Sequence, residues 1–379
     1  MYSYRVLLVG GGTGGHIYPL VAISRELQKI ALEKGLNLEL MAVADSNSWR
    51  SEFENLGVKF KRILAPKLRR YEGNINLLDI FKIPITLIQS FWVLFVFMPD
   101  LVFAKGGYAS VIPSLVAKLY FTPLFIHDSD AVLKGANKFL SKFAKKVFVS
   151  FEATRLNLKN KEVILSGNPI REELLKGDRN TAGELFNLSL DKKTVLFLGG
   201  SQGAITINNL VIQSLVKLSG KYQIIHQAGV KSFEYFKSEV DRIKKEGQNT
   251  YAKSIEENYR LFDFMNEEEL KSAYALADVI ISRSGANLIF EIASLGKPAI
   301  FIPYSFSIKN HQKANALEIA KFGAVVLEEE NLKPHILIDQ ISHLLKPENY
   351  SAISQKIRQF AKLEAGEIIA NEIISYVAR

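Results

Sequence analysis

His16 closes a run of glycines, Gly10-Gly11-Gly12-Thr13-Gly14-Gly15-His16, between the apolar stretch Val6–Val9 and an apolar helical pattern that opens at Ile17. A strand, a glycine turn and a helix start offer backbone N–H groups and the positive end of a helix dipole to an anion. Glycines hold phosphate, whereas an imidazole on the same turn is fitted to moving a proton. The spacing Gly10-x-Gly12-x-x-Gly15 also satisfies the dinucleotide fingerprint, with Asp45 near the place of an acidic ribose contact. That pattern has low specificity. A phosphate cradle carrying a base and a nicotinamide or flavin site both stay open on these residues.

Other reactive or anion-binding side chains gather where apolar runs end. Leu101–Ala104 leads into a second glycine turn, Lys105-Gly106-Gly107-Tyr108-Ala109-Ser110, and Pro123–Ile126 delivers His127-Asp128-Ser129-Asp130. His127 reads either as an oriented polar residue at a strand end or as a catalytic one. Arg171 ends the turn Ser166-Gly167-Asn168-Pro169-Ile170-Arg171. A third glycine turn, Gly199-Gly200-Ser201-Gln202-Gly203-Ala204, repeats the phosphate cradle with the Ser201 hydroxyl as an extra donor. After Asp278–Ser282 comes Arg283-Ser284-Gly285-Ala286-Asn287, with Glu291 one turn into the next helix. A carboxylate there suits the two hydroxyls of a ribose, and equally suits a helix dipole. Gln312 and Asn315, three residues apart, share a helix face in the manner of sugar-hydroxyl readers.

The elements that must hold these residues alternate strand and helix. Val21–Ile30 has helical spacing and Asn37–Ala44 reads as a strand; Thr194–Leu198, the helix Ile205–Leu218 and the strand Tyr222–Gln227 repeat the pattern. Leu261–Met265 reads as a strand, Glu268–Leu276 as a helix and Pro298–Pro303 as another strand. Such alternation predicts an α/β fold with doubly wound parallel sheets, whose ligands sit at the carboxyl ends of the strands. At 379 residues two domains are expected, 1–167 and 168–354, with a ligand cleft between them. A final amphipathic helix, from about 355 to 379, is expected to dock back on the first domain.

Charge divides at the same boundary. Residues 1–167 hold 22 Lys+Arg against 13 Asp+Glu, a net +9, whereas residues 168–379 hold 26 of each. An anionic partner for the first half follows, nucleic acid or an anionic membrane surface. Lys59, Lys61, Arg62, Lys67, Arg69 and Arg70 precede an apolar tract from Leu77 to Met98. Asp79, Lys82, Pro84 and Gln89 interrupt that tract, which argues against a spanning helix of about 20 apolar residues. Two readings stand: a helix packed on the sheet with a few aromatics left over, or one that dips into a membrane interface. Lys134, Lys138, Lys142, Lys145 and Lys146 follow with no acid between them. Lys138, Lys142 and Lys145 have one-face helical spacing, and the stripe reads either as a solvated face or as a second contact for lipid head groups. The chain has no cysteine, which excludes disulfides, a thiolate nucleophile and a cysteine zinc site and suits a reducing cytoplasm. It runs straight into a strand and glycine turn, so no signal peptide is expected.

Taken in order, Gly11-Gly12-Thr13-Gly14-Gly15-His16, Gly106-Gly107-Tyr108, Gly167-Asn168-Pro169-Ile170-Arg171, Gly199 to Ala204, Arg283-Ser284-Gly285-Ala286 with Glu291, and Gln312 with Asn315-Ala316 resemble the MurG family. These motifs span residues 10 to about 325. The resemblance implies a GT-B fold, two Rossmann-like domains with an interdomain cleft. It implies inverting, metal-independent transfer of N-acetylglucosamine (GlcNAc) from UDP-GlcNAc to the C4 hydroxyl of MurNAc-pentapeptide-pyrophosphoryl-undecaprenol, lipid I becoming lipid II. No cofactor is implied, since UDP-GlcNAc is a substrate.

Carried over residue by residue, His16 is the candidate base, its place at a helix N-terminus favouring the neutral imidazole. Thr13, Gly14 and Gly15 line the donor site, Arg171 and Ser201 meet the diphosphate, and the Met265 backbone reads uracil. Ala286, Asn287, Leu288, Ile289, Phe290 and Glu291 hold phosphate and ribose, and Gln312 reads GlcNAc hydroxyls. Gly106, Gly107, Tyr108, His127 and Asn315 are further acceptor or sugar contacts. Two positions depart from the family pattern: Asp130 stands where many members have an Asn that contacts the donor, and Trp49 stands near an expected acidic residue. The implied partners are UDP-GlcNAc, lipid I and an anionic membrane, with no nucleic acid. The implied location is peripheral, on the cytoplasmic face of a bacterial plasma membrane. The rivals are another GT-B transferase with a different sugar nucleotide or glycolipid acceptor, a non-catalytic nucleotide-sugar binder, and a dinucleotide oxidoreductase.

Overall fold

The computed structural model describes residues 2–66, 77–133, 135–158, 162–200, 203–247, 249–307 and 310–379. They form two compact units: Met1–Arg171 with Lys362–Arg379, and Glu172–Ala361.

In unit 1, strands and helices alternate: β1 (Ser3–Gly10), α1 (Gly14–Glu33), β2 (Asn37–Ala44), α2 (Arg50–Glu54), β3 (Lys59–Arg62), α3 (Leu77–Phe97) and β4 (Leu101–Gly106). Then come α4 (Tyr108–Leu119), β5 (Leu124–Asp128), α5 (Gly135–Leu140), β6 (Lys146–Val149), α6 (Glu152–Leu156) and β7 (Val163–Leu165). All strand pairs are parallel, in the order β3-β2-β1-β4-β5-β6-β7. The central strands are unbroken apolar runs because both sheet faces are covered. Leu8 and Phe103 face one core with Ile17 and Leu20 of α1; Leu7 and Val102 face another with Val116 of α4. The order reverses between β1 and β4, the switch point where open α/β sheets take ligands. The register there shifts so that Gly10 faces Gly106, which brings the first two glycine turns side by side.

Unit 2 repeats the design with α7 (Arg179–Phe186), β8 (Thr194–Leu198), α8 (Ile205–Lys221), β9 (Gln223–Gln227), α9 (Phe233–Glu246), α10 (Asn249–Asn258) and β10 (Tyr259–Phe262). It continues through α11 (Glu267–Leu276), β11 (Val279–Ser282), α12 (Ala286–Leu295), β12 (Ala299–Phe301), α13 (His311–Ala320), β13 (Val325–Val326), α14 (Pro334–Leu344) and α15 (Pro347–Phe360). Its parallel sheet runs β10-β9-β8-β11-β12-β13 and reverses between β8 and β11. The third glycine turn leaves β8, and Arg283 to Glu291 leave β11. Both motifs therefore flank the second switch point.

The tail departs from the single helix expected. It is two helices, and only α16 (Ala365–Val377) lies in unit 1, where Ile369, Ile373 and Ile374 join the core under α1. Lys146 Nζ pairs with Glu372 at 2.6 Å, and Tyr376 packs edge-on to Phe125. By contrast α15 stays in unit 2, with Phe360 against Phe290 and Phe322. The units divide after Arg171 and after Ala361, four residues and seven residues beyond the expected positions. Gly167 explains the first difference: at φ +84° a methyl there would stand 2.3 Å from Lys362 Cβ, so this turn is packed into unit 1. The expected strand 261–265 is β10, and Met265 lies in the turn after it.

The apolar tract is one continuous helix from Leu77 to Phe97, through Pro84, with Lys82 and Asp79 paired at 2.6 Å. Its interruptions therefore do not break it, and Asp79–Phe97 is long and apolar enough to cross a membrane by length and composition. A strip of Val93, Leu94 and Phe97 packs on the sheet. The opposite side is open, with Phe81 72%, Ile88 69%, Trp92 62% and Phe95 61% exposed. That is more than a few aromatics left over from packing.

Candidate active-site elements

In unit 1, Thr13 is the N-cap of α1, and the His16 N–H donates to the Thr13 carbonyl at 3.0 Å. His16 is half-buried in the first turn of the helix. Gly107, at φ +82°, carries the close approach of the two turns: a methyl there would stand 2.4 Å from the Gly11 carbonyl oxygen and 3.2 Å from His16 Nδ1. Thr13, Gly14, Gly15, His16, Gly106, Gly107 and Tyr108 thus share one edge of the sheet. Asp45 is turned inward, accepting the Gly12 N–H at 2.9 Å through Oδ1 and the Tyr108 hydroxyl through Oδ2. The dinucleotide reading loses its ribose ligand.

Arg171 is 9% exposed, its guanidinium 4.2 Å from the Tyr18 ring centre, and Tyr18 is edge-on to Trp49. Trp49, where an acid was expected, is a packing partner of this aromatic stack. His127 is fully buried; its Nε2 lies 2.9 Å from the Gly167 carbonyl. Burial and the charge of Lys105 hold the imidazole well below its ordinary pKa, so the ring is neutral and donates from Nε2. Of the two readings left open for His127, the oriented polar residue matches this setting.

Asp130 lies beside a group that sequence reasoning passed over. Lys105, the residue before Gly106, is only 1% exposed and donates to Ser129 Oγ, which in turn donates to Asn168 Oδ1 at 2.9 Å. Burial pulls Lys105 down to about 8 against the opposing charges of Asp128 and Asp130. Burial and the Asp130 charge push Asp128 up to about 6, and Asn137 Nδ2 donates to it at 3.0 Å. A lysine inside an otherwise apolar strand was the available signal. The departure at Asp130 therefore has a buried cation as its counterpart.

In unit 2, the third glycine turn precedes α8, a 17-residue helix. Ser201 and Gln202 lie outside the described residues, so the expected Ser201 contact is left as a sequence reading. Gly203, at φ +77°, lets the turn close on the Ala228 carbonyl, which a methyl would meet at 2.1 Å. Gln227, at the end of β9, was missed. Its Nε2 donates to the Gly200 carbonyl at 3.1 Å and its Oε1 accepts the Met265 N–H at 3.2 Å, which ties the expected diphosphate turn to the expected uracil reader.

Glu291 is 3% exposed and accepts the Tyr274 hydroxyl at 2.9 Å. Ala286, Ile289 and Phe290 are buried, and Asn287 and Leu288 are half-buried. The Ile289 and Phe290 side chains belong to the core, so a ligand role for them falls to the backbone. Asn315 is fully buried and donates to the Ser284 carbonyl at 3.2 Å, so it braces the Arg283–Asn287 turn. Gln312 Oε1 accepts the Tyr304 N–H at 2.9 Å. Arg283 pairs with Glu329 at 2.7 Å. Burial alone would raise Glu329, but hydrogen bonds from Ser305, Arg283 and Thr206 outweigh it and hold the carboxyl at about 2.

Residues 6–149 match the glycosyltransferase family 28 N-terminal domain and residues 194–370 its C-terminal domain. A Flavobacterium psychrophilum protein is 35% identical over 382 residues, covering 100% of this chain and 99% of its own length. A Legionella pneumophila protein is 33% identical over 359 residues, covering 94% and 92%. Both are named UDP-N-acetylglucosamine–N-acetylmuramyl-(pentapeptide) pyrophosphoryl-undecaprenol N-acetylglucosamine transferase. The crystal structure of Acinetobacter baumannii MurG superposes with a TM-score of 0.72 at 25% identity, covering 98% of this chain and 99% of that one. The chain belongs to the MurG family. Its two parallel-sheet units are the two Rossmann-like domains of a GT-B glycosyltransferase. MurG membership removes the oxidoreductase reading of the glycine fingerprint at Gly10–Gly15.

Proposed function

We propose that this chain transfers GlcNAc from UDP-GlcNAc to the C4 hydroxyl of lipid-linked MurNAc-pentapeptide, with inversion at the sugar carbon. The observation that carries the reading is 35% identity over the full length to a relative named for that transfer, joined to the motif residues standing beside both switch points. His16 takes the proton of the C4 hydroxyl, the oxygen forms its bond to the GlcNAc anomeric carbon, and the bond from that carbon to the UDP oxygen breaks. The backbone N–H groups at the starts of α8 and α12 are suited to the charge that develops on the diphosphate. Glu291 accepts ribose hydroxyls, Met265 reads uracil through its backbone, and Gln312 reads the sugar. To Thr13, Gly14, Gly15, Asp130 and Arg171 the family motif assigns donor contacts. The chemistry needs no metal on this reading, because the backbone N–H groups at the starts of α8 and α12 take the place of its charge.

The acceptor's polyprenyl tail requires work at a bilayer, and the exposed side of α3 supports docking there. Leu119, Tyr120 and Phe121 at the end of α4 extend that apolar surface, with Tyr120 against Phe91 and Phe121 94% exposed. A helix with Val93, Leu94 and Phe97 held by the sheet is not free to be wrapped in lipid. We therefore read α3 as lying in the interface of an anionic membrane, on its cytoplasmic face. The lysine stripe is reassigned in part. Helix α5 ends at Leu140, so Lys138, Lys142 and Lys145 do not share a helix face, and Lys146 pairs with Glu162 and Glu372.

UDP release from UDP-GlcNAc, measured with and without a lipid I analogue, tests the reading. Release that depends on the analogue is expected. Turnover with a different sugar nucleotide or a glycolipid lacking MurNAc would favour the rival transferase.

A further inference from the structure

We infer that Asp45 is the positioning residue for the proton-accepting His16, because its carboxylate ties the two glycine turns of unit 1 to one another. The inference rests on the reading of His16 as the base. Asp45 follows β2, the strand paired with β1, and its side chain reaches over the first turn to the second. One oxygen takes the Gly12 N–H at 2.9 Å, at a residue with φ +95° that lies outside both β1 and α1. The other takes the hydroxyl of Tyr108, the first residue of α4. Charge-assisted bonds of this kind are about twice as strong as neutral ones.

The fit is close on every side. A methyl on Gly11 would stand 2.6 Å from Asp45 Oδ1 and 2.9 Å from Ala109 Cβ, and a methyl on Gly12 would stand 3.0 Å from the Tyr108 ring. The same two turns meet at Gly107, beside His16 Nδ1. The imidazole therefore stands on a turn whose place is set from outside by Asp45. Loosening the tie moves the base relative to the hydroxyl it serves, and a displacement near 1 Å costs about a hundredfold in rate.

The test is steady-state kinetics with UDP-GlcNAc and a lipid I analogue on Asp45→Ala, Asp45→Asn and His16→Ala. For Asp45→Ala, kcat is expected to fall about a hundredfold with the KM for UDP-GlcNAc within about twofold of wild type. Asp45→Asn is expected to recover to within about tenfold of wild type, since its amide oxygen still accepts the Gly12 N–H and its amide donates to the tyrosine oxygen. Any of three results overturns the inference: kcat for Asp45→Ala near wild type, a loss confined to donor KM, or Asp45→Asn no better than Asp45→Ala. Should Asp45→Ala not fold by circular dichroism, Asp45→Thr, with one short hydroxyl, is read by the same criteria. His16→Ala separates the failures. Its near-wild-type turnover sinks the base reading itself, whereas its inactivity beside an active Asp45→Ala sinks only the positioning role.

Discussion

At the scale of single residues, burial decides which polar groups are free for chemistry. Lys105 is a buried ammonium offset by Asp128 and Asp130, and removing one partner of such a set leaves uncompensated charge. Lys105→Met is expected to destabilise the fold by about 3 kcal/mol. Adding Asp130→Asn should return part of it, as read from urea unfolding at pH 7. A double variant no more stable than Lys105→Met would refute the pairing. For Glu291, the Gln variant keeps an oxygen for Tyr274 while removing the charge offered to ribose. It is expected to weaken UDP-GlcNAc binding about tenfold in calorimetry, and unchanged affinity would remove the ribose role. The sequence shows residue type and spacing but not burial. Hence the half-buried His16 was legible as a candidate, whereas His127 and Asn315 look the same on paper and are buried braces. Asp45 and Tyr108 are 63 positions apart, and no local pattern signals a bond over that distance.

At the scale of elements, the strands and glycine turns were legible because buried parallel strands are unbroken apolar runs ending in special backbone. The break between α15 and α16 was not. Ala361 to Glu364 contain neither Gly nor Pro, and the choice of which unit each helix joins is made by Phe360 and by Ile369, Ile373 and Ile374. Helix α3 misled in the opposite direction, since Pro84 and a charged pair look like interruptions yet are absorbed within one helix. Its exposed face leads to a prediction. The double variant Trp92→Glu, Phe95→Glu should change stability by about 0.5 kcal/mol or less. It should nevertheless greatly reduce co-sedimentation with vesicles containing anionic lipid at low salt. Undiminished sedimentation would show that α3 is not the docking surface.

At the scale of the whole molecule, each sheet carries its motifs at its own switch point, so a shared fold logic serves two different tasks. Unit 2 also carries a pH sensitivity of its own. Burial lowers His226 from 6.5 to about 3, its nitrogens facing the Tyr259 hydroxyl at 2.8 Å and Asn208 Oδ1 at 3.0 Å. The unfolded chain binds a proton below 6.5 that the folded unit refuses, so this contribution to stability is whole above 6.5 and declines as pH falls towards 3. About 3 kcal/mol is expected to be lost by pH 4.5. Calorimetry of wild type against His226→Gln should show a weaker acid slope in the variant, and parallel slopes would contradict this origin. In unit 1 the opening glycine turn serves to place a base, His16, and this role is the one on which the proposed transfer depends. It is tested most directly by turnover and UDP-GlcNAc affinity of His16→Ala with a lipid I analogue. Turnover is expected to fall by about a hundredfold or more with donor affinity little changed. Turnover near that of the wild type would contradict it.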